Sequence, residues 1–190
     1  MKDSYTHLTL VIDRSGSMYA IKTDTEGGVN EFIKANKEAP GEATLLLVDF
    51  DAPVPNGSTV LSHAQFGNEP WYREAFLGTI AEAPTYHLNP RGNTALYDAV
   101  HKAIVETGEY LAAMAEEDRP SKVLFTIMTD GQENSSNEVT REIVEAKIKE
   151  QTKATIRCLP DEEFRSPTPP TKCMWCNRPA VAEAVWAKAY

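Results

Sequence analysis

Apolar residues fall in two kinds of run along the chain. Leu8-Thr9-Leu10-Val11-Ile12, Thr44-Leu45-Leu46-Leu47-Val48-Asp49-Phe50 and Val123-Leu124-Phe125-Thr126-Ile127-Met128 are short and nearly unbroken. Continuous rather than alternating apolar strands predict a parallel sheet covered on both faces. Between them the apolar positions take helical spacing. Val29, Phe32 and Ile33 predict a helix to about residue 38, stopped by Pro40-Gly41. It opens at Thr23-x-x-Glu26, which has the form of a capping box. Leu96, Val100, Ala103, Ile104, Leu111 and Met114 predict a long helix over 94–116. Val139, Ile143 and Ala146 predict a helix over 137–151, capped near Ser136 or Asn137.

The remaining segments are weaker. Residues 52–92 are rich in Pro, Gly and Asn, with Val60-Leu61 as an edge strand and Trp71, Tyr72, Phe76, Leu77 and Ile80 as a short helix. Ala154–Leu159 reads as a weak fifth strand. The alternation predicts a doubly wound α/β fold, with a mostly parallel sheet and helices on both faces. Five prolines between 160 and 179 argue against a strand through 160–172. The division is therefore a domain over 1–159 and an irregular Pro- and Cys-containing tail over 160–190, whose last residues have the composition of a closing helix.

Composition narrows the function classes. The 190 residues fit one main domain, and 42% hydrophobic content suffices for a core. The net charge of −9 leaves no basic footprint for nucleic acid. No apolar stretch approaches the ~18 residues of a membrane span, and the first residues lack the form of a signal peptide. Three cysteines without a secretory signal point to a reducing compartment, so the expectation is a cytoplasmic protein.

The chemistry lies where strands end. After Ile12 come Asp13, Arg14, Ser15, Gly16 and Ser17, one carboxylate and two hydroxyls on a Gly/Ser turn. Hard oxygens converging from a tight turn suit Mg2+ or Mn2+. The competing motifs fail: Ser15 stands where an aspartyl phosphotransferase needs a second Asp, and neither Gly-x-Ser-x-Gly nor a P-loop is present. The bland alternative is a turn in which Asp13 caps the next helix. Thr94, at the start of the long helix, has an N-cap as its bland role. Asp130-Gly131 ends the third apolar strand, with a plain turn as its alternative. Asp13 and Asp130 both lie at carboxyl ends of strands, where ligands bind in open α/β sheets.

Asp13-x-Ser15-x-Ser17, Thr94 and Asp130-Gly131 together closely resemble the von Willebrand factor type A (vWA) family, in particular its small stand-alone members from bacteria and phages. Glu26-Gly27-Gly28-Val29-Asn30, Arg91-Gly92-Asn93-Thr94-Ala95-Leu96 and Thr129-Asp130-Gly131-Gln132-Glu133-Asn134 extend the likeness, which covers roughly residues 5 to 155. The resemblance implies a metal-ion-dependent adhesion site. Ser15, Ser17 and Thr94 would coordinate Mg2+ or Mn2+, with Asp13 and Asp130 acting directly or through water. An open position would take an Asp or Glu from a protein partner. It implies a binding module and no enzyme, while the net charge and the short apolar runs give no expectation of a nucleic-acid or membrane partner. The alternative class is a metal-dependent hydrolase or phosphatase, for which these loops offer no evident base or nucleophile.

The tail departs from that family. Cys173-Met174-Trp175-Cys176 has the spacing of half a zinc knuckle, and Cys158 makes three ligands where a structural site needs four. Asp161, Glu162, Glu163, a distant His or another chain would have to complete it. A Pro-rich connector without tightly held zinc is the expectation, with zinc at Cys158, Cys173 and Cys176 as the alternative. Asp49 and Asp51 read as turn residues near the site, Asp98 as a surface acid favoured by the helix dipole, and the four histidines as dispersed.

Overall fold

The computed structural model describes residues 1–52, 69–130, 133–152, 154–158 and 185–188. Its centre is a four-stranded mixed sheet. The strands are β1 (Lys2–Asp13), β2 (Glu42–Phe50), β3 (Tyr72–Thr79) and β4 (Pro120–Met128), in the order β3-β2-β1-β4. β1 runs parallel to β2 and β4, and β3 pairs antiparallel with β2. The helices are α1 (Lys22–Glu38), α2 (Leu96–Ala112) and α3 (Arg141–Thr152). This is an α/β fold with helices on both faces.

The period of two along a strand sorts its side chains between two cores. Leu8, Leu10 and Ile12 of β1 join Leu45 and Leu47 of β2 against Val29 and Ile33 of α1. Val11 joins Leu46, Val48 and Phe50 against Leu96, Val100 and Ile104 of α2 and Val144 of α3. Both faces of β1 and β2 are thus covered, which is why these strands carry no exposed polar alternation.

Four sequence expectations are corrected. The helix expected over Trp71–Ile80 is β3. Tyr72 pairs with Phe50, and Phe76 with Leu47, so the free edge of β2 supplies backbone partners that a short apolar cluster could not make alone. The capping box at Thr23 is not formed. α1 begins at Lys22 without a side-chain cap, and Glu26 instead accepts the Leu88 N–H at 2.8 Å. α3 starts later, and its inward face is one residue out of phase with the expectation: Val144 is buried and Ile143 is exposed. The closing helix over 180–190 is replaced in part by a strand, β6 (Val185–Lys188), which pairs antiparallel with β5 (Ala154–Cys158) in a separate two-stranded sheet. The β-branched and aromatic pair Val185-Trp186 favours that state over helix. Val60-Leu61 and the Pro-rich stretch 160–179 lie outside the described residues.

His7, on β1, illustrates the dryness of the core. Its Nδ1 is 2.8 Å from Thr44 Oγ1, its ring stacks on Tyr110 at 5.0 Å, and Nε2 has no hydrogen-bond partner among the described residues. Burial lowers its pKa from 6.5 to about 4. The unfolded chain therefore takes up this proton more readily than the folded one. The contribution of neutral His7 is complete above pH 6.5 and is lost as pH falls towards 4, for roughly 3 kcal/mol at most. Urea unfolding at pH 7 and pH 4.5 should show this loss. It should shrink in His7→Asn, and an undiminished pH dependence in that variant would exclude His7 as its source.

Candidate functional site

Three loops converge at the carboxyl ends of β1, β2 and β4. The first leaves β1 at Asp13, whose side chain is fully buried. Ser15 N–H donates to Asp13 Oδ1 at 2.7 Å, and Thr129 Oγ1, just beyond β4, donates to Oδ2 at 2.7 Å. The bond to Ser15 is an Asx turn, and the N-cap of the following 3-10 turn is Ser15, so Asp13 does not fill the capping role of the bland reading. Burial is the largest influence on Asp13 and raises its pKa to about 6, against the lowering effect of these hydrogen bonds. Asp130 raises it further by charge repulsion. A carboxylate held this way gains most from a neighbouring cation.

The two serines are turned towards one another, with Oγ atoms 3.1 Å apart. Ser15 is the N-cap of a 3-10 turn over Gly16–Ile21, yet its side chain makes no cap bond. Its hydroxyl is therefore committed to the Ser17 side rather than to the helix. Ser15 is buried and Ser17 is exposed, which places the pair at the lip of the site.

The second loop is laid on the first by backbone bonds. Gly16 N–H donates to Gly92 O at 3.0 Å, and Arg91 N–H to Arg14 O at 2.7 Å. A Cβ on Gly16 would stand 3.3 Å from Gly92 O, so the glycine serves the close approach of the loops. Gly92 takes φ of +63°, the left-handed region open to glycine. Thr94 follows, 1% exposed. The N-cap of α2 is Ala95, without a side-chain cap bond, so Thr94 does not fill the capping role.

The third loop holds Thr94 in place. Asn134 Oδ1 accepts the Thr94 N–H at 3.0 Å, and Asn134 N–H donates to Thr94 O at 3.1 Å. The first free N–H groups of α2 are also satisfied from this loop. Tyr97 N–H donates to Glu133 Oε2 and to Ser136 Oγ, both at 3.0 Å. Asp98 is buried, correcting its reading as a surface acid. It accepts the N–H groups of Asn137, Glu138 and Val139 at 2.9 to 3.3 Å and so fixes the chain entering α3. Ser136 therefore caps α2 rather than α3.

Beneath the loops lies a charged network that sequence reasoning missed. Arg14 is fully buried, 3.1 Å from Asp49 Oδ1 and 3.2 Å from Asp51 Oδ2. Arg73 makes a forked pair with Asp49, and Arg91 bonds Asp51. Glu69, half exposed, lies 3.4 Å from Arg14 and 3.5 Å from Arg91. Burial raises the pKa of Asp51, opposed by Arg91 and Arg14. Asp49 and Asp51 are thus counterions of buried arginines and not turn residues. The available signal was Arg14 itself, a cation directly after an unbroken apolar strand.

The structure thus joins Asp13, Ser15 and Ser17 directly and brings the Thr94 loop against them, with Thr129 carrying the Asp130 loop to Asp13. Among the described residues, no three His, Cys, Asp or Glu side chains are grouped to hold a metal. A cation at this site would therefore rest on hydroxyls and water with the two aspartates behind, a donor set that suits a hard ion. Cys173 and Cys176 lie outside the described residues, and Cys158 ends β5. A cavity of about 510 Å³, lined by Tyr5, Lys37, Thr44 and Ile80 among others, opens at the opposite end of the sheet, away from these loops. Among the described residues, no helix is long and apolar enough to cross a membrane.

The family described as "Prolyl-tRNA synthetase, C-terminal" matches residues 140–190, which include α3, β5 and β6. Proline--tRNA ligase of Bacteroides fragilis is 47% identical over 47 residues, 24% of this chain and 10% of the relative. The enzyme of Chlorobium phaeobacteroides is 50% identical over 54 residues, 26% of this chain and 11% of the relative. The chain thus spans about a tenth of the length of these curated relatives. Among solved structures, the pilus adhesin SpaC from Lactobacillus rhamnosus GG, in an open conformation, covers 70% of this chain and 15% of its own. It does so at 20% identity with a TM-score of 0.47.

Proposed function

We propose that residues 1–159 form a vWA-like module that binds a protein partner through Mg2+ or Mn2+. The observation that carries this reading is the meeting of the Ser15 and Ser17 hydroxyls, 3.1 Å apart, over the buried Asp13 carboxylate at the carboxyl end of β1. Ser15, Ser17 and Thr94 would hold the ion, and Asp13 and Asp130 would balance its charge. The ion would supply a Lewis-acidic open position for a carboxylate of the partner. The chain's own residues do the rest. Thr129 and the Ser15 amide orient Asp13, Asn134 fixes the Thr94 backbone, and Glu133 and Ser136 anchor the start of α2. The lack of an evident base or nucleophile among the described residues of the three loops favours binding over catalysis.

Thr94→Ala tests the assignment. Because Thr94 caps no helix, the variant should stay within about 1 kcal/mol of wild-type stability, the scale of one hydroxyl hydrogen bond. It should nevertheless lose the Mg2+ heat seen by calorimetry and any capture of partner that a chelator abolishes. Wild-type metal binding by folded Thr94→Ala would remove the threonine from the site.

The tail supports a second reading. Its similarity to a prolyl-tRNA synthetase C-terminal segment covers 140–190, beginning with α3, whose Val144 packs in the main core, and continuing through β5 and β6. Pairing of Cys158 with Val185 brings together the two ends of 159–184, the connection that holds Cys173 and Cys176. The Cys173-x-x-Cys176 spacing favours a zinc knuckle, whereas the count of three cysteines argues against one. Protein purified without chelator should carry far less than one zinc per chain. About one zinc, lost in Cys173→Ser/Cys176→Ser, would establish the knuckle and make zinc binding part of the folding of the tail.

A further inference from the structure

We infer that the buried trio Arg14, Asp51 and Arg91 is a positioning clamp that sets the spacing of the Ser15/Ser17 and Thr94 loops, and with it the affinity for the ion. This rests on the metal-binding reading above. Asp51 sits at the junction of four segments. Its N–H donates to Trp71 O at 2.8 Å, and its carbonyl accepts the Ala95 N–H, next to Thr94, at 3.0 Å. Its carboxylate takes the Nε of Arg91 and lies 3.2 Å from the Nε of Arg14. Arg14 belongs to the serine loop and Arg91 to the threonine loop, so one carboxylate bridges the two arginines that flank the proposed ligands.

The guanidinium groups are also fixed from behind. Arg14 Nη2 donates to Pro70 O, and Arg91 Nη2 donates to Glu69 O at 2.8 Å and Pro70 O at 3.1 Å. The Arg91 N–H to Arg14 O bond, at 2.7 Å, closes the arrangement on the side of the ion. Neither guanidinium offers an oxygen, so neither is a ligand. Their effect is geometric, and a planar fork gives it where a flexible ammonium would not. Residues behind the ligands of other metal sites alter affinity by about 10–100-fold when replaced.

The test is Arg91→Lys, which keeps net charge and the buried cation but loses the fork. Calorimetry with Mg2+ should show affinity weakened about 10-fold or more, while far-UV circular dichroism and metal-free unfolding show a folded protein. Arg119→Lys, remote from the loops, should bind as wild type does. Folded Arg91→Lys with wild-type affinity would overturn the clamp and leave the metal reading standing. A wild-type protein that binds no Mg2+ would overturn both.

Hydrogen exchange on the wild-type protein serves if Arg91→Lys does not fold. Mg2+ should slow exchange at the amides of Asp51 and Ala95, which lie behind the ligands, as well as at Gly16 and Arg91. Protection confined to the ligand loops, with Asp51 and Ala95 unchanged, would contradict the clamp.

Discussion

Asp13→Asn should weaken Mg2+ binding by at least about 100-fold, the upper end for partners that support a metal site, while leaving the metal-free protein folded. The side chain keeps an oxygen for the Ser15 N–H, so the Asx turn survives. What it loses is charge, and the second acceptor oxygen, so the Thr129 hydroxyl must turn to accept from the new amide. The folded pKa of Asp13, about 6, lies above its ordinary 3.8, so the ionised form costs stability that the protonated form does not. That cost is absent below pH 3.8 and complete above pH 6. At pH 7 the neutral Asn removes it, and the metal-free variant should unfold at no lower temperature than wild type. Added Mg2+ should then raise the melting temperature of wild type and not of Asp13→Asn. Equal Mg2+ stabilisation of the two proteins would mean that Asp13 has no part in holding the ion.

Arg14→Ala should be the most destabilising single substitution near the site. Removing one partner of a buried pair leaves the other charge unpaired, for about 3–5 kcal/mol. Here Asp49 and Asp51, both buried, lose their common counterion. Arg73 and Arg91 remain with them, which keeps the loss within that range rather than above it. Unpaired buried carboxylates take up protons, so the deficit should narrow as pH falls from 7 to 5. Urea unfolding measures both effects. A loss below about 1 kcal/mol would match an exposed pair instead.

The parts of the fold visible in the sequence were those set by the local period. β1, β2 and β4 announce themselves as unbroken apolar runs because both their faces are covered. α1 ends at Glu38, as Pro40-Gly41 requires. The hydroxyls and carboxylates of Asp13, Ser15, Ser17 and Asp130 were visible as residue types at or just past the ends of strands, and Thr94 at the start of a helix, and the fold places their loops at one end of the sheet.

Features created by distant pairing stayed hidden. β3 exists because the edge of β2 offers it partners. Asp98 and Ser136 each have a plausible local role, and both are instead committed across the gap between α2 and α3. Arg14 and Asp51 look like turn residues until the fold buries them together. The tail misled for another reason. Ala-rich composition over 180–190 suggests helix, yet Val185–Lys188 finds a strand partner in Ala154–Cys158.

The most direct test of the metal site is a crystal of the wild-type protein soaked with Mn2+. Anomalous difference density should give one peak between the three loops, about 2.1 Å from the hydroxyl oxygens of Ser15, Ser17 and Thr94, the spacing of hard-cation coordination. It should vanish in Asp13→Asn crystals of the same form. Fully soaked crystals with no peak at these hydroxyls, or with their only peak elsewhere on the chain, would contradict the assignment.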